Sequence, residues 1–518
     1  MEKIKSLVKE WGWLFAVLLI VSTLSYSLII FARIVNDSDG TWHGDIAYTG
    51  NSELIEGRWL QPYIDRARFW LSPDPLSSVT ALAVFAIGFI LIMDLLKIRD
   101  KRINVVSGLI FMISTSVCST LSFRYMSLEF ACAFIFAVAA FYSVVNIKKP
   151  VLAIGISACL ITLYMGLYQA FLGSTAIVIV FYLLYRLFKN DEIKSLGILT
   201  GRCLLSYLAG GAMYYIIWRE ELWRYDTEAT SYGGADAFTI GGVFTHLTET
   251  LGKPYIKFAD YFLNRTVSTT MLPKFIHLSL IAAFVAASAL AVIIVFKKDR
   301  VRAALMALLT LLIPFACMWF YVLTYSVSYM SMHMTISLAA CLALMVCMIY
   351  IYAADIMKEK AGILNKAIWA LTLVGALAAY GNHSMVQYDQ MAMYMGEMSV
   401  YEIGSEVISE LIADGLYDPN ITYCFIGSPS NNPLFFKNDV FEKCNSYARY
   451  GDWGNVPNDN RQGWSGFFLH MKGIHLKIAD NEVIDAFDED PRVEAMPVFP
   501  VKGSVAPLDG YVVIKLAE

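Results

Sequence analysis

The segment Asn36-Asp37-Ser38-Asp39 sets two carboxylates two positions apart, at the end of a long apolar run. In extended backbone, residues i and i+2 share a face, so both carboxylates would point at one ligand. One could then act as a general base, taking the proton from an attacking hydroxyl. The other would orient that hydroxyl or help hold a divalent cation such as Mg or Mn on oxygen ligands. Asp45 is a third candidate in the same loop. Asn-Asp-Ser-Asp-Gly is equally ordinary turn chemistry, and the sequence alone keeps both readings open.

A second set of polar residues follows. Glu56-Gly57-Arg58-Trp59 places a guanidinium beside an indole. Arg grips phosphate oxygens as a fork, and an aromatic face stacks on a sugar ring; the alternative is interfacial anchoring. Arg66, Arg68 and Trp70 extend this pattern on a helix expected to lie along the membrane surface. Arg124 and Glu129 flank a short turn, where they either pair with each other or face the same ligand. Tyr168-Gln169 offers neutral hydrogen bonds, and His333 is a weaker candidate base. No His/Cys cluster has zinc spacing, and no Gly-x-Ser-x-Gly elbow occurs.

The elements that must position these groups are set by hydropathy. Of 518 residues, 57% are hydrophobic and 16% charged, and the mean hydropathy is +0.55. A soluble domain is nearer a quarter charged. The chain reads as a polytopic α-helical membrane protein. Apolar runs of spanning length begin near Trp13, Val79, Val105, Leu128, Val151, Gln169, Cys203, Phe275, Ala303, Ser331 and Ala367, which predicts about 11 transmembrane helices. The basic stretch before Trp13 and the absence of a small-residue cleavage site read as a retained signal-anchor. The connections at 97–102, 146–150, 186–194, 296–302 and 357–366 are short and rich in Lys and Arg. Placing them in the cytoplasm satisfies the positive-inside rule, and it puts the loops at about 36–77 and 219–273, and the carboxyl terminus, outside.

Charge divides the chain as well. Residues 385–518 carry 20 Asp/Glu against 9 Lys/Arg, whereas the first 384 carry 24 against 31. This predicts a transmembrane domain over 1–384 and a small extracytoplasmic α/β domain over 385–518. An amphipathic helix is expected at Met393–Leu416, with strands at Ile421–Ile426 and Tyr511–Leu516. Cys424 and Cys444 fall in that domain, and a disulfide between them would close a loop of about 20 residues.

Function classes narrow accordingly. No basic stripe suits nucleic acid. The middles of the spans hold almost no charge, whereas an ion-coupled transporter needs acids or bases there. The cytoplasmic loops are too short for a nucleotide site, and Gly233-Gly234 and Gly241-Gly242 lack a strand–helix setting. An activated substrate must then arrive within the membrane on a lipid phosphate, and the loop at 219–273, with Lys253, Lys257 and Arg265, is placed to cover its headgroup.

The chain resembles the bacterial serotype-converting type II O-antigen glucosyltransferases, a branch of the multi-spanning GT-C glycosyltransferases. The likeness rests on the ordered occurrence of Asn36-Asp37-Ser38-Asp39, Glu56-Gly57-Arg58-Trp59, Tyr168-Gln169, Met496-Pro497-Val498-Phe499-Pro500 and Asp509-Gly510-Tyr511-Val512-Val513-Ile514-Lys515-Leu516. The resemblance implies transfer of a sugar, usually glucose, from a polyprenyl-phosphate donor to a surface glycan, at the outer face of a bacterial plasma membrane. It implies a catalytic acid in the first outer loop, here Asp37 or Asp39. Lipid-phosphate contacts are then expected from Asp45, Arg58, Trp59, Arg124, Glu129, Tyr168 and Gln169. A glycan polymerase is the alternative enzyme. A lipid-glycan flippase or exporter, or a scaffold whose acidic tail docks a partner, is the non-enzymatic alternative.

Overall fold

The computed structural model describes residues 2–44, 51–230, 245–264, 271–324, 327, 329–453 and 457–518. Asp45, Arg265, Tyr325 and the two glycine pairs at 233–234 and 241–242 lie outside them. Among the described residues, nine helices are long and apolar enough to cross a membrane, and a tenth span is formed if the bent pair Lys101–Met112 and Thr115–Ser122 is counted as one. About eleven were expected. The run that begins near Ala303 is divided instead into Arg300–Leu311, Ile313–Met318 and Phe320–Leu323. Pro314 stands in the first turn of the middle piece, where its missing N–H ends the preceding ladder.

The bent pair turns by 47°. The break would strand backbone polar groups in an apolar setting, and Tyr26 meets them. Its hydroxyl lies 2.9 Å from the Met112 carbonyl and 3.1 Å from the Ser114 N–H. The Ser114 side chain caps the second helix by accepting from the Val117 N–H at 3.2 Å. This kink brings the Ser122 carbonyl to the Asn36 N–H, 3.0 Å away, and so fixes the start of the acidic turn.

The final span does not stop at residue 385. Ala361–Ala413 is one helix of 53 residues, about 80 Å long at 1.5 Å per residue. The separate helix expected over Met393–Leu416 is its distal part. Beyond it, β1 (Thr422–Ile426), β2 (Lys477–Ile478), β3 (Val505–Leu508) and β4 (Tyr511–Lys515) form a sheet in the order β2-β1-β4-β3. β1 runs parallel to β2 and β4, and β3 pairs antiparallel with β4. Asn432, in the expected turn-rich segment, donates to the carbonyls of Phe499 and Leu516 at 2.9 and 2.8 Å. Asp389, on the long helix and fully buried, accepts from the Asn445 backbone at 2.8 Å and from the Tyr447 hydroxyl at 2.6 Å. The domain is thereby tied to the helix that carries it.

Cys424 and Cys444 are both free thiols, so the expected disulfide is absent. Alternation along β1 explains why. Cys424 and Ile426 face one apolar cluster with Val513, while Tyr423 and Phe425 face the main core to which Cys444 belongs. A period of two puts the thiols on opposite faces of the sheet.

The C-terminal domain packs against the acidic turn. Its helix Pro457–Gly466 and the following turn Phe467–Met471 both contact the short helix Ser38–His43.

Candidate active site

Asp37 precedes a short helix, Ser38–His43, and Asp39 occupies its first turn. The backbone is therefore helical where extended geometry was expected, and residues i and i+2 of a helix do not face each other. The two carboxylates share Asp459 as a neighbour and differ in the rest. Asp37 faces Asp459 and Asp452 of the C-terminal domain. The Trp453 indole approaches it without reaching hydrogen-bond geometry, which leaves one buried Asp37 oxygen unpartnered. Asp39 faces Asp459 on one side and Arg58, Glu56 and Glu53 on the other.

Their proton affinities differ for the same reason. Burial, and then Asp459, Asp452 and Asp39, push Asp37 well above the usual carboxylate range. Burial and Asp459 raise Asp39 to about 6, with Arg58 pulling the other way. Asp39 is nonetheless open to solvent. His43, stacked on Tyr125 with ring centroids 3.8 Å apart, is lowered to about 4 by burial and by the nearby His470, so it is neutral at physiological pH. Among the described titratable groups of this turn, Asp39 alone is both accessible and poised near the working pH of a general base.

Arg58 pairs with Glu56 at 2.8 Å and lies over the Tyr168 ring at 4.8 Å. Burial alone would lower its pKa, but the Glu56 and Glu53 carboxylates outweigh that and hold the guanidinium charged. Its Nε has no partner. The loop that carries it is pinned from the spans. Gln169 donates to the Glu56 carbonyl and to the Tyr214 hydroxyl, both at 2.9 Å, and the Trp218 indole donates to the Leu54 carbonyl at 2.8 Å. Gly57 makes the turn possible, with φ +86° and a Cβ position only 2.2 Å from the Tyr214 oxygen.

Trp59, Glu129, Arg124 and Tyr168, also expected as ligands, are buried. Trp59 is buried against Gly166. Glu129 is 1% exposed and pairs at 3.0 Å with Arg68, which also holds Asp65 at 2.6 Å. Arg124 hydrogen-bonds the Arg33 carbonyl and lies among Asp74, Glu397 and Tyr450. Tyr168 lies in an aromatic cluster with Phe130, Phe171 and His333, and His333 is a half-buried ring of that cluster. Asp45 lies outside the described residues. No three His, Cys, Asp or Glu side chains among the described residues are arranged to hold a metal ion.

Sequence reasoning missed the groups that the C-terminal domain brings. The Tyr450 hydroxyl meets the Thr41 hydroxyl at 2.9 Å across 409 residues of chain, and His470 lies 3.0 Å from the Trp42 carbonyl. Asp459 and Asp452 come from a polar, turn-rich stretch that carries no local signal of chemistry.

No curated protein and no solved structure matches the chain. A family profile, glucosyl transferase GtrII, matches residues 44–327. That span takes in Arg58, the Tyr168-Gln169 pair and most of the helical bundle, and it begins just after the acidic turn. With more than half its length matched, the chain belongs to the GtrII family of glucosyl transferases.

Proposed function

We propose that this glucosyltransferase moves glucose from a polyprenyl-phosphate donor to a hydroxyl of a surface glycan of the O-antigen class, on the extracytoplasmic face of a bacterial plasma membrane. The acceptor oxygen attacks the anomeric carbon as its proton passes to Asp39. The bond from that carbon to the phosphate oxygen breaks through an oxocarbenium-like state. Polyprenyl phosphate departs with the bonding electron pair, and Arg58 takes up its charge. Asp37, whose carboxyl is pushed towards its protonated form by burial among carboxylates, orients the acceptor by hydrogen bonding.

The observation that carries this reading is the juxtaposition of an accessible carboxylate at about 6 with a guanidinium held charged beside it. A base and a phosphate-binding cation within electrostatic reach of each other are what a lipid-phosphate-sugar transfer requires. The short polar connections opposite this face support a donor that is already membrane-borne.

The test is transfer of radiolabelled glucose from polyprenyl-phosphate glucose onto lipopolysaccharide by purified protein, with UDP-glucose as the competing donor. Asp39→Asn should lose about a hundredfold or more of transfer. Near-normal turnover by both Asp37→Asn and Asp39→Asn, or use of UDP-glucose alone, overturns the proposal. A divalent cation is the alternative source of positive charge. Unchanged transfer after EDTA treatment supports Arg58 in that role, and restoration only by Mg or Mn assigns it to a metal on Asp37 and Asp39.

A further inference from the structure

The C-terminal domain lies wholly outside the stretch shared with the family, yet it closes over the acidic turn. Gly466 permits the contact, since a Cβ there would come within 2.5 Å of the Thr41 carbonyl. Tyr450 and His470 hold the turn at Thr41 and Trp42. At its other end, Asp459, on the helix Pro457–Gly466, approaches Ser38. Ser38 is the residue between the two acids, so Asp459 reaches the turn at the point that joins them.

We infer that Asp459 is a positioning residue for glucosyl transfer, fixing the acidic turn through Ser38, and that the C-terminal domain is thereby part of the catalytic site and not a separate docking module. The inference rests on the reading of the acidic turn as the catalytic one.

Electrostatics gives this role a signature that a purely structural contact lacks. Among the described residues, the charged and titratable groups facing the turn are Tyr450, Asp452, Asp459 and His470 from the C-terminal domain, Glu53, Glu56 and Arg58 from the first loop, and Arg124 and Tyr125 from the turn beneath. Asp459 is the foremost carboxylate acting on both Asp37 and Asp39. Removing its charge lets both acids ionise at lower pH, and it frees Ser38.

The experiment is the pH dependence of kcat and kcat/KM for the full-length protein, with polyprenyl-phosphate glucose and lipopolysaccharide. Asp459→Asn should move the acidic limb of kcat/KM down by about one pH unit and lower kcat about tenfold or more through misplacement of the acids. Asp459→Glu should return the limb towards its original place. Ser38→Ala keeps the charge and cuts the link, so kcat should fall with the limb unmoved. An unshifted or upward-shifted limb in Asp459→Asn overturns the inference. Should that variant fail to fold, Ser38→Ala with wild-type kcat overturns it as well. If Asp39→Asn is inactive while Asp459→Asn behaves as wild type, this inference alone fails. If Asp39→Asn is active, the reading beneath it fails.

Discussion

Arg58→Gln separates two roles that the geometry assigns to one guanidinium. In the wild-type protein Asp39 sits at about 6. It is then about nine-tenths ionised at pH 7 and about one-tenth at pH 5, so kcat/KM should fall about tenfold between them. Arg58 is the cation that holds Asp39 down. Removing an opposite charge at close range moves a carboxylate up by roughly one unit or more, and the solvent exposure of Asp39 favours the lower end. The acidic limb should therefore rise by about one unit. At pH 7 that shift alone costs only about twofold in ionised base. The lost hydrogen bonds to a charged phosphate are worth about 1.5–3 kcal/mol, or roughly tenfold to a hundredfold. The leaving-group term dominates at pH 7, and the ionisation term shows only as the acid limb is followed. Arg58→Lys keeps the charge and loses the fork, so its limb should stay near 6 while kcat/KM still falls. The assay is the pH–rate profile of purified protein with polyprenyl-phosphate glucose. An Arg58→Gln limb that stays in place, or moves down, refutes the pairing of Arg58 with Asp39.

Asp37 offers a test of stability. Its pKa is raised by burial among carboxylates, so its contribution to folding is present while it is protonated and is lost as pH rises through the folded value. Asp37→Asn should unfold at higher temperature than wild type at pH 8, and the advantage should vanish towards pH 4; scanning fluorimetry in detergent at both pH values reads this. Gly57→Ala strains a left-handed turn and forces a methyl against Tyr214; at about 1–3 kcal/mol of local strain it should lower kcat/KM about tenfold, with far-UV circular dichroism unchanged. Arg68→Ala leaves Asp65 and Glu129 buried without their cation, which should destabilise the fold by about 3–5 kcal/mol. Adding Glu129→Gln should restore part of that loss, since one uncompensated charge is removed.

What the sequence made legible followed from composition and local pattern. Spans are a matter of continuous hydropathy, and nine of the eleven expected runs are single long helices among the described residues. β1 and β4 begin within a residue of the expected strands because alternation and flanking turns mark them. The acidic turn and Arg58 could be picked out because charge is rare beside apolar spans. The misses share a cause. Pro314 broke a run whose mean hydropathy hid the break. The long helix crosses residue 385 without a Pro, so the loss of spanning hydropathy there does not end the helix. Asp37 and Asp39 were expected on extended backbone; the turn is helical, and beyond a shared Asp459 they meet different groups. Asp459, Tyr450 and His470 reach the turn from more than 400 residues away, a contact no local spacing encodes.

That distant contact also frees the sidedness of the site from helix counting. The expected topology depended on an odd number of spans, and a single broken run would have reversed it. The structure replaces parity with adjacency. The first apolar helix separates the amino terminus from the acidic turn, and the turn is packed against the C-terminal domain. The turn and that domain therefore share one end of the bundle, whatever becomes of the broken stretch at 300–323. Cysteines introduced at Trp42, an exposed position of the turn, and at Lys502, a remote exposed position of the domain, should react with a membrane-impermeant maleimide from the same side. Labelling from opposite sides would separate the turn from the domain, and with it the shared catalytic site would be lost.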